Sequence, residues 1–297
     1  MANADQISKI TSGKGFIAAL DQSGGSSPKA LAQYGIEPSA YSSDEEMFDL
    51  IHAMRARIVS SPAFTGDRVV GAILFEQTME REIGGKPSGA ALWEDNGVVP
   101  FLKVDKGLED AANGVQLMKP MPGLDDMCKR AVAAGIFGTK MRAVVGAADA
   151  KGIDAIIAQQ FEIGAQIASH GLMPILEPEV TISIADKAKA EAMLRDAVMR
   201  HLDALPKGEQ VMLKITLPEE ANHYAPVVDH PAMMRVVALS GGYDLTEAND
   251  RLARNRGIIA SFSRALTAGL TAQQSEAEFD AALDRTIQCI YDASVAG

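Results

Sequence analysis

The sequence predicts an α/β fold, a (β/α)8 barrel of the TIM type, formed by a single domain that spans residues 1–297. Short, almost continuously apolar runs alternate along the whole chain with longer segments of helical spacing. Strands of a parallel sheet have this character because helices cover both faces of the sheet. An open doubly wound sheet is the alternative, but its usual nucleotide-binding motifs, G-x-G-x-x-G after a strand and G-x-x-x-x-G-K-[ST], are absent.

Eight apolar runs are the predicted strands. Most of them end in polar residues, which predicts a sheet with an apolar body and a polar edge. The runs are Phe16–Asp21, Val69–Phe75, Val99–Asp105, Phe137–Val145, Leu172–Val180, Val211–Leu217, Arg235–Ser240 and Ile258–Ser263.

Helix signals lie between the predicted strands. Ser43-Asp-Glu-Glu46 has the pattern of a capping box, and Ser27 followed by Pro28 predicts the cap and first position of another helix. Residues 1–12 and the C-terminal helix are expected at the periphery of the barrel. The other predicted helices are Asp125–Ala134, Ile153–Ser169, Asp186–Leu205, Thr246–Asn255 and Ser275–Ala293.

Composition narrows the class of protein. With 47% hydrophobic and 23% charged residues, the chain has enough apolar side chains for a large core. The net charge of −11 argues against nucleic acid and anionic membranes as partners. Cys128 and Cys289 show no C-x-x-C spacing, and we expect two buried free thiols. No signal peptide or membrane-length apolar run is found, so we expect a cytoplasmic protein.

Charged residues gather at the carboxyl-terminal ends of the predicted strands, where barrel active sites form. Spacing of i, i+2 places Lys103 with Asp105, Lys140 with Arg142, and Glu177 with Glu179 on one strand face each. The purely structural alternative is a ring of ion pairs that closes the barrel mouth. The strand-end residues are Asp21, Glu76, Lys103, Asp105, Lys106, Lys140, Arg142, Glu177, Glu179 and Lys214.

Lys214 lies in the apolar run Gln210–Pro218. Burial of an unpaired ammonium is costly, so it favours the neutral amine. A neutral amine in a fixed position is a nucleophile that can form a Schiff base with a carbonyl. The alternative is a lysine that reaches solvent or closes an ion pair.

Two loops suit phosphate binding. Leu239-Ser-Gly-Gly242 follows the seventh predicted strand and offers backbone N–H groups, and Arg264 follows the eighth. Asp21-Gln-Ser-Gly-Gly-Ser-Ser-Pro28 leads from the first strand into a helix whose free N–H groups could hold a second phosphate. An ordinary turn is the alternative for Ser-Gly-Gly.

The histidines show no metal-binding spacing, and we expect all of them to be structural or surface groups. They are His52, His170, His201, His223 and His230.

With these residues in view, the chain resembles class I fructose-1,6-bisphosphate aldolase in its short bacterial form. The resemblance runs from about residue 13 to the end, and its blocks occur in the family's order. They are Gly13–Ser26, Gly71–Glu76, Lys103–Gly107, Lys140–Arg142, Pro174–Glu179, Met212–Lys214, Leu239–Gly242 and Ser261–Leu266.

The resemblance implies catalytic roles. Lys214 looks like the Schiff-base lysine, and Glu177 is similar to the acid/base that shuttles protons during carbinolamine dehydration. Asp21 looks like the group that takes the C4 hydroxyl proton as the C3–C4 bond breaks. Lys140 matches the lysine that keeps the neighbouring amine reactive, and Glu179 belongs to the same network.

The resemblance also implies substrate-binding residues. Those similar to ligands of the C1 phosphate are Ser240, Gly241, Gly242 and Arg264, with Ser261 nearby. Those similar to ligands near the C6 phosphate are Ser23, Ser26 and Lys103, and Arg142 is a further candidate substrate contact.

The chain departs from the family pattern in three places. Ala30 stands where an arginine is frequent, which affects C6-phosphate affinity, and Met141 replaces an aromatic residue. The end, Ala293–Gly297, lacks the mobile tail with a terminal tyrosine that longer members use for proton transfer at C3.

The expected function is reversible cleavage of fructose 1,6-bisphosphate to dihydroxyacetone phosphate and glyceraldehyde 3-phosphate, with no metal or other cofactor. Sugar phosphates are the expected ligands, and the family suggests a homo-oligomer. The alternatives are a Schiff-base aldolase for tagatose 1,6-bisphosphate or a sulfonated analogue, a non-covalent isomerase, and a non-catalytic scaffold.

Overall fold

The structure, a computed structural model, describes residues 3–297. Eight parallel strands lie side by side in the order in which they occur in the chain. Sequential order is the mark of a barrel, since a doubly wound sheet reverses its order part-way. The strands are β1 (Phe16–Leu20), β2 (Val69–Leu74), β3 (Val99–Lys103), β4 (Gly138–Val145), β5 (Met173–Val180), β6 (Val211–Thr216), β7 (Met233–Leu239) and β8 (Ile258–Ala260).

The sheet closes on itself. The backbone N–H of Ala19 in β1 donates to the carbonyl of Phe262, just past β8, at 3.1 Å. The prediction of a (β/α)8 barrel is therefore confirmed.

Helices surround the barrel in the predicted intervals. They are α1 (Ala4–Ser12), α2 (Ser26–Gln33), α3 (Asp44–Ser60), α4 (Leu124–Ala133), α5 (Ala150–Ser169), α6 (Lys187–Asp203), α7 (Leu245–Leu252) and α8 (Glu276–Ala296). Single turns occupy Pro38–Ala40, Glu76–Met79, Ser88–Ala90, Ala91–Asp95 and Ala225–Val228. Short strands pair Glu82–Ile83 with Lys86–Pro87, and Val115–Gln116 adds to the edge of β4.

Several predicted strands extend beyond the paired residues. The run Phe16–Asp21 pairs only to Leu20, and Ile258–Ser263 pairs only to Ala260. The polar residues at these ends leave the ladder and enter the loops at the barrel mouth.

The start of α2 differs from the prediction. The helix begins at Ser26 after Gly25, so Ser27 is not its cap. Ser27 is instead fully buried in the first turn. Pro28 is accordingly the third residue of the helix and not its first, and Gly25 at the cap position has no side chain to accept a hydrogen bond.

The capping box predicted at Ser43–Glu46 forms only in part. Ser43 Oγ accepts from the N–H of Glu46 at 3.2 Å, but the Glu46 carboxylate accepts from Ser42 instead. A complete capping box forms at Ser275 and Glu278, where α8 begins.

One apolar layer fills the barrel interior, and a second lies between the strands and the surrounding helices. Along β1, Ile17 and Ala19 point inward, whereas Phe16 and Leu20 point outward to the helices. The inward layer lies at the amino-terminal end of the barrel. It includes Ile10 of α1, so this helix lies at the amino-terminal end of the barrel and packs Ile10 against the interior side chains.

The cysteines differ in environment. Cys128 in α4 is buried, and burial raises its pKa to about 11. Cys289 is exposed on α8, so the prediction of two buried thiols is wrong for this residue.

Candidate active site

A cleft of about 870 Å³ opens at the carboxyl-terminal end of the barrel. Residues at or just beyond the end of every strand line it, as expected for a barrel active site. Of the predicted site residues, the structure places in its lining Asp21, Ser23, Ser26, Lys103, Lys140, Arg142, Glu177, Glu179, Lys214, Ser240, Gly241, Ser261 and Arg264. Gly242, the next residue of the same loop, is not in the lining.

Four charged side chains form a buried cluster at the centre of the cleft. The ammonium of Lys140 lies 2.6 Å from Asp21 Oδ2 and 2.7 Å from Glu177 Oε2. The ammonium of Lys214 lies 3.0 Å from Glu177 Oε1. No residue of the four is more than 8% exposed. One carboxylate, that of Glu177, therefore joins the two lysines.

The cluster sets the protonation of its members. Burial raises the pKa of Asp21, but the charges of Lys140 and Lys214 outweigh burial and hold this pKa well below its usual range. The same two lysines lower the pKa of Glu177 against the effect of burial. Burial lowers the pKa of Lys140, but Asp21 and Glu177 overcome it and raise that pKa. Lys140 is thus a fixed cation between two anions.

A second set of contacts surrounds the cluster. Lys103 Nζ donates to Asp105 Oδ1 at 2.7 Å, and Asp105 Oδ2 accepts from the backbone N–H of Arg142 at 3.2 Å. Arg142 in turn pairs with Glu179 at 3.1 Å. Burial raises the pKa of Glu179 despite Arg142, so its neutral form persists to higher pH. The i, i+2 pairs predicted from the sequence therefore all face the cleft.

The loop after β7 leaves its backbone open to a ligand. The backbone carbonyl of Ser240 accepts from the N–H of Tyr243 at 3.0 Å, and this hydrogen bond closes a turn. Within it, Gly241 and Gly242 have φ of +64° and +122°, a region that favours glycine. A Cβ atom on Gly242 would lie 3.8 Å from Arg264 Nη2.

The hydroxyl of Ser261 is buried beside this loop. Within residues 3–297 it has no hydrogen-bond partner. A polar group in this state is available to a ligand, since a buried donor without a partner is costly.

The loop after β1 lies beside the loop after β8 at the cleft. Ser26 Oγ donates to the carbonyl of Ser23 and accepts from its N–H, both at 2.8 Å. Gln22 Nε2 donates to Ser263 Oγ at 2.9 Å, so this loop is joined to the loop that carries Arg264.

Glu76, one of the predicted strand-end charges, is not part of the lining. It pairs with Arg130 at 2.7 Å and with Lys106 at 2.9 Å, outside the charged centre. Lys106 itself lines the rim of the cleft.

Comparison with known proteins assigns the family. The glycolytic fructose-bisphosphate aldolase class-I family model matches residues 1–221. The chain belongs to the class I fructose-bisphosphate aldolase family. The fructose-bisphosphate aldolase class 1 of Synechocystis sp. is 58% identical over 293 residues, which cover 99% of this chain and 98% of the relative. The class 1 aldolase of Porphyromonas gingivalis is 55% identical and covered over 99% of both chains. The present chain is accordingly an aldolase, a lyase of the Schiff-base class.

A solved structure shows the same fold. It is the fructose-bisphosphate aldolase from Plasmodium falciparum, in a ternary complex with TRAP and a small-molecule inhibitor. The two chains superpose with a TM-score of 0.78 at 20% identity, over 99% of this chain and 96% of the other.

Lys29 and Gln22 are among the cleft residues of this aldolase that sequence reasoning missed as site candidates. Lys29 lines the cleft from α2 and makes no ion pair with any residue from 3 to 297. Its spacing from Ser26, i+3 on one helix face, was the available signal. Gln22 was missed because nothing in the sequence indicates its contact with Ser263.

The histidines lie outside the cleft lining. His52 contacts the carbonyl of Glu82, His170 and His230 contact carboxylates, His201 stacks on Phe161 and His223 packs against Tyr224. Across residues 3–297, no three or more His, Cys, Asp and Glu side chains are grouped to hold a metal ion. In the same part of the chain, every helix is too short or too polar to cross a membrane.

Proposed function

We propose that this aldolase cleaves fructose 1,6-bisphosphate reversibly to dihydroxyacetone phosphate and glyceraldehyde 3-phosphate, through an imine on Lys214 and without a metal. The observation that carries the proposal is the contact of Lys214 with Glu177. It gives a buried amine a proton acceptor at 3.0 Å. The names of the relatives support the substrate.

Imine formation begins with attack of the neutral Lys214 amine on the C2 ketone. The new N–C bond forms as the carbonyl oxygen becomes the hydroxyl of a carbinolamine. Glu177 delivers a proton to this hydroxyl, which leaves as water, and the iminium remains. Lys140, fixed 2.7 Å from Glu177, keeps that carboxyl acidic enough to return the proton.

Cleavage requires a base at the C4 hydroxyl. Asp21 takes this proton, the C3–C4 bond breaks, and its electron pair moves into the iminium to give an enamine. The aldehyde product departs with the C4 carbonyl. The enamine gains a proton at C3 while Asp21 releases the one it accepted. Hydrolysis of the imine by water then releases dihydroxyacetone phosphate and restores the Lys214 amine.

The two phosphates bind at different loops of the cleft. The C1 phosphate accepts from the backbone of Ser240, Gly241 and Gly242, from the Ser261 hydroxyl and from the Arg264 guanidinium. At the loop after β1, Ser23, Ser26, Lys103 and Lys29 bind the C6 phosphate. The N–H groups of Ser26 and Ser27 at the start of α2 already donate to the carbonyls of Ser23 and Gly24, so the side chains supply these contacts. Arg142 and Glu179 form the floor between them and orient the sugar hydroxyls.

The test is chemical trapping. Dihydroxyacetone phosphate is added, the imine is reduced with borohydride, and the modified peptide is identified by mass spectrometry. We expect one adduct, on Lys214, and none in Lys214→Met. Lys151→Met, which removes an exposed lysine of α5, is the control and should trap normally. An adduct at another lysine, or activity lost on EDTA treatment, would contradict the proposal.

We further propose a cytoplasmic homo-oligomer. Membership of a family that acts on glycolytic sugar phosphates supports this location and assembly. Light scattering of the purified chain measures the assembly, and a monomer at micromolar concentration would refute it.

A further inference from the structure

The helix α5 places one amide against the strands that carry the reactive cluster. Gln160, a residue of α5, is fully buried on the side of the helix that faces the barrel wall. Its Nε2 donates to the carbonyl of Met141 at 3.3 Å, and its Oε1 accepts from the N–H of Glu177 at 3.2 Å. Met141 lies between Lys140 and Arg142 in β4.

The carbonyl of Met141 and the N–H of Glu177 face each other between the paired strands β4 and β5. Arg142 is paired with Glu177 in the register of β4 and β5. The N–H of Arg142 points toward β3, where it donates to Asp105. The carbonyl of Met141 therefore points the other way, to β5, where it faces the N–H of Glu177. The side-chain amide of Gln160 thus binds one backbone group of β4 and one of β5.

The opposite edge of β5 lacks this support at Glu177. Pairing of β5 with β6 consists of Ile175 with Met212 and Leu176 with Leu213, and it ends one residue before Glu177 and Lys214. Pro178 follows and has no N–H to donate. The backbone of Glu177 is accordingly held from the β4 side, where Gln160 lies.

Resting on the proposed function, we infer that Gln160 is a positioning residue for imine formation. Its amide adds a side-chain bridge between Met141 and Glu177 to the backbone pairing of β4 with β5. Both lysines of the cluster reach Glu177, at 2.7 Å and 3.0 Å, so a displacement of this backbone changes both distances together. Proton transfer to the carbinolamine hydroxyl depends on this geometry.

The neighbouring residue Gln159 provides a matched control. Its amide makes the same kind of double contact, to the N–H and carbonyl of Met118, both at 2.9 Å. Met118 is not among the residues that line the cleft. Replacing either glutamine by methionine keeps the side-chain length and removes the amide.

The test compares Gln160→Met with Gln159→Met in the full chain. Borohydride is added at increasing times after dihydroxyacetone phosphate to measure the rate of imine formation, and kcat and KM are measured for cleavage. We expect Gln160→Met to slow imine formation and kcat by about 10- to 100-fold, because small misplacements of reacting groups have effects of this size. KM should change by less than about threefold, since the phosphate contacts are untouched. Gln159→Met should match the wild type in all three quantities.

Equal rates in the two variants, or a change confined to KM, would overturn the inference. If Gln160→Met does not fold, Gln160→Asn replaces it, because the shorter amide cannot reach both groups and should slow imine formation in the same direction. A wild-type chain that gives no adduct on Lys214 refutes the proposed function and the inference with it. A wild-type adduct with unimpaired Gln160 variants refutes the inference alone.

Discussion

Asp21, at the end of β1, and Lys140, in β4, meet across the barrel mouth with 2.6 Å between Oδ2 and Nζ. Lys140 also binds Glu177, so one ammonium neutralises two carboxylates that have almost no contact with solvent. Loss of this ammonium would leave two buried anions near each other. The arrangement ties the chemistry of the cleft to the stability of the barrel.

Lys140→Met should therefore be strongly destabilising. Removing one partner of a buried ion pair costs about 3–5 kcal/mol. Here Asp21 loses its direct ion-pair partner, whereas Glu177 keeps Lys214 at 3.0 Å. Urea unfolding monitored by circular dichroism measures the free energy of unfolding. Arg200→Met is the control, since Arg200 pairs with Asp154 on the surface and exposed pairs contribute about 0–1 kcal/mol. Similar losses in the two variants would contradict this account.

Stability should also fall in acid. Burial raises the pKa values of Asp21 and Glu177, but Lys140 and Lys214 lower both of them in the folded chain. Such carboxylates stabilise the fold fully above their unfolded-state pKa of about 4 and lose the contribution as pH falls through the lower folded-state values. The contribution of Glu179 to stability depends on pH in the opposite direction. Its raised pKa gives a contribution that is complete at low pH and declines as pH rises through the folded-state value.

The measurement is the free energy of unfolding at pH 7 and pH 3. We expect a decrease at pH 3 in the wild type and a smaller decrease in Asp21→Asn, which lacks one of the two groups with a lowered pKa. Lys140 does not add to the loss in acid, because a raised lysine pKa contributes fully below about pH 10 and loses its effect only at higher pH. An Asp21→Asn variant with the same acid dependence as the wild type would exclude this origin.

The loop after β7 gives a prediction about phosphate binding. Gly241 has φ of +64°, and a Cβ atom there would lie 2.8 Å from Ile182 Cγ2. Gly241→Ala should displace the loop and raise the Kd for inorganic phosphate by about tenfold or more, as expected when a charge-assisted hydrogen bond is lost. Isothermal titration calorimetry measures this Kd.

Gly269→Ala is the control for backbone conformation. Gly269 has a similar φ of +79°, but no atom lies within 4 Å of the position that its Cβ would take. Both substitutions destabilise the fold by about 1–2 kcal/mol, because alanine is disfavoured at positive φ. Only Gly241→Ala should change phosphate affinity, and an equal change in both would show that the clash with Ile182 is irrelevant.

The barrel strands and most of the cleft residues could be predicted, because the alternation of residues along a strand is a local feature of the sequence. Alternation along β5 places Glu177 and Glu179 on the face of the buried Ile175, so the strand itself directs them to the cleft. Lys214 lies two residues after the inward Met212 in β6, so it also points to the barrel interior. The register that brings the strands together is the regular one of a closed barrel.

The features that were not predicted depend on tertiary contacts. Gln160 reaches the cluster from a helix outside the barrel, and a buried glutamine on an apolar helix face gives no sign in the sequence of which backbone it binds. Ser27 lies buried in the first turn of α2, one residue inside the helix, and not at the predicted cap position. Cys289 is exposed because of the way α8 is rotated on the barrel, which the average burial of cysteine does not reveal.

The last prediction concerns the discrimination between substrates. Lys29 is an exposed lysine on the cleft side of α2, next to Ala30, and has no ion pair among residues 3–297. We propose that it binds the C6 phosphate. Lys29→Met should lower kcat/KM for fructose 1,6-bisphosphate by about tenfold or more, the effect of one charge-assisted hydrogen bond, and leave fructose 1-phosphate unaffected.

The matched variant is Lys106→Met. Lys106 lines the same cleft, but its ammonium is engaged by Glu76 at 2.9 Å, so its removal should change the ratio of the two kcat/KM values much less. Steady-state kinetics with both sugar phosphates gives this ratio. A parallel loss for both substrates in Lys29→Met would place Lys29 at the C1 end or in a general electrostatic role, because only a contact with the C6 phosphate distinguishes a bisphosphate from a 1-phosphate.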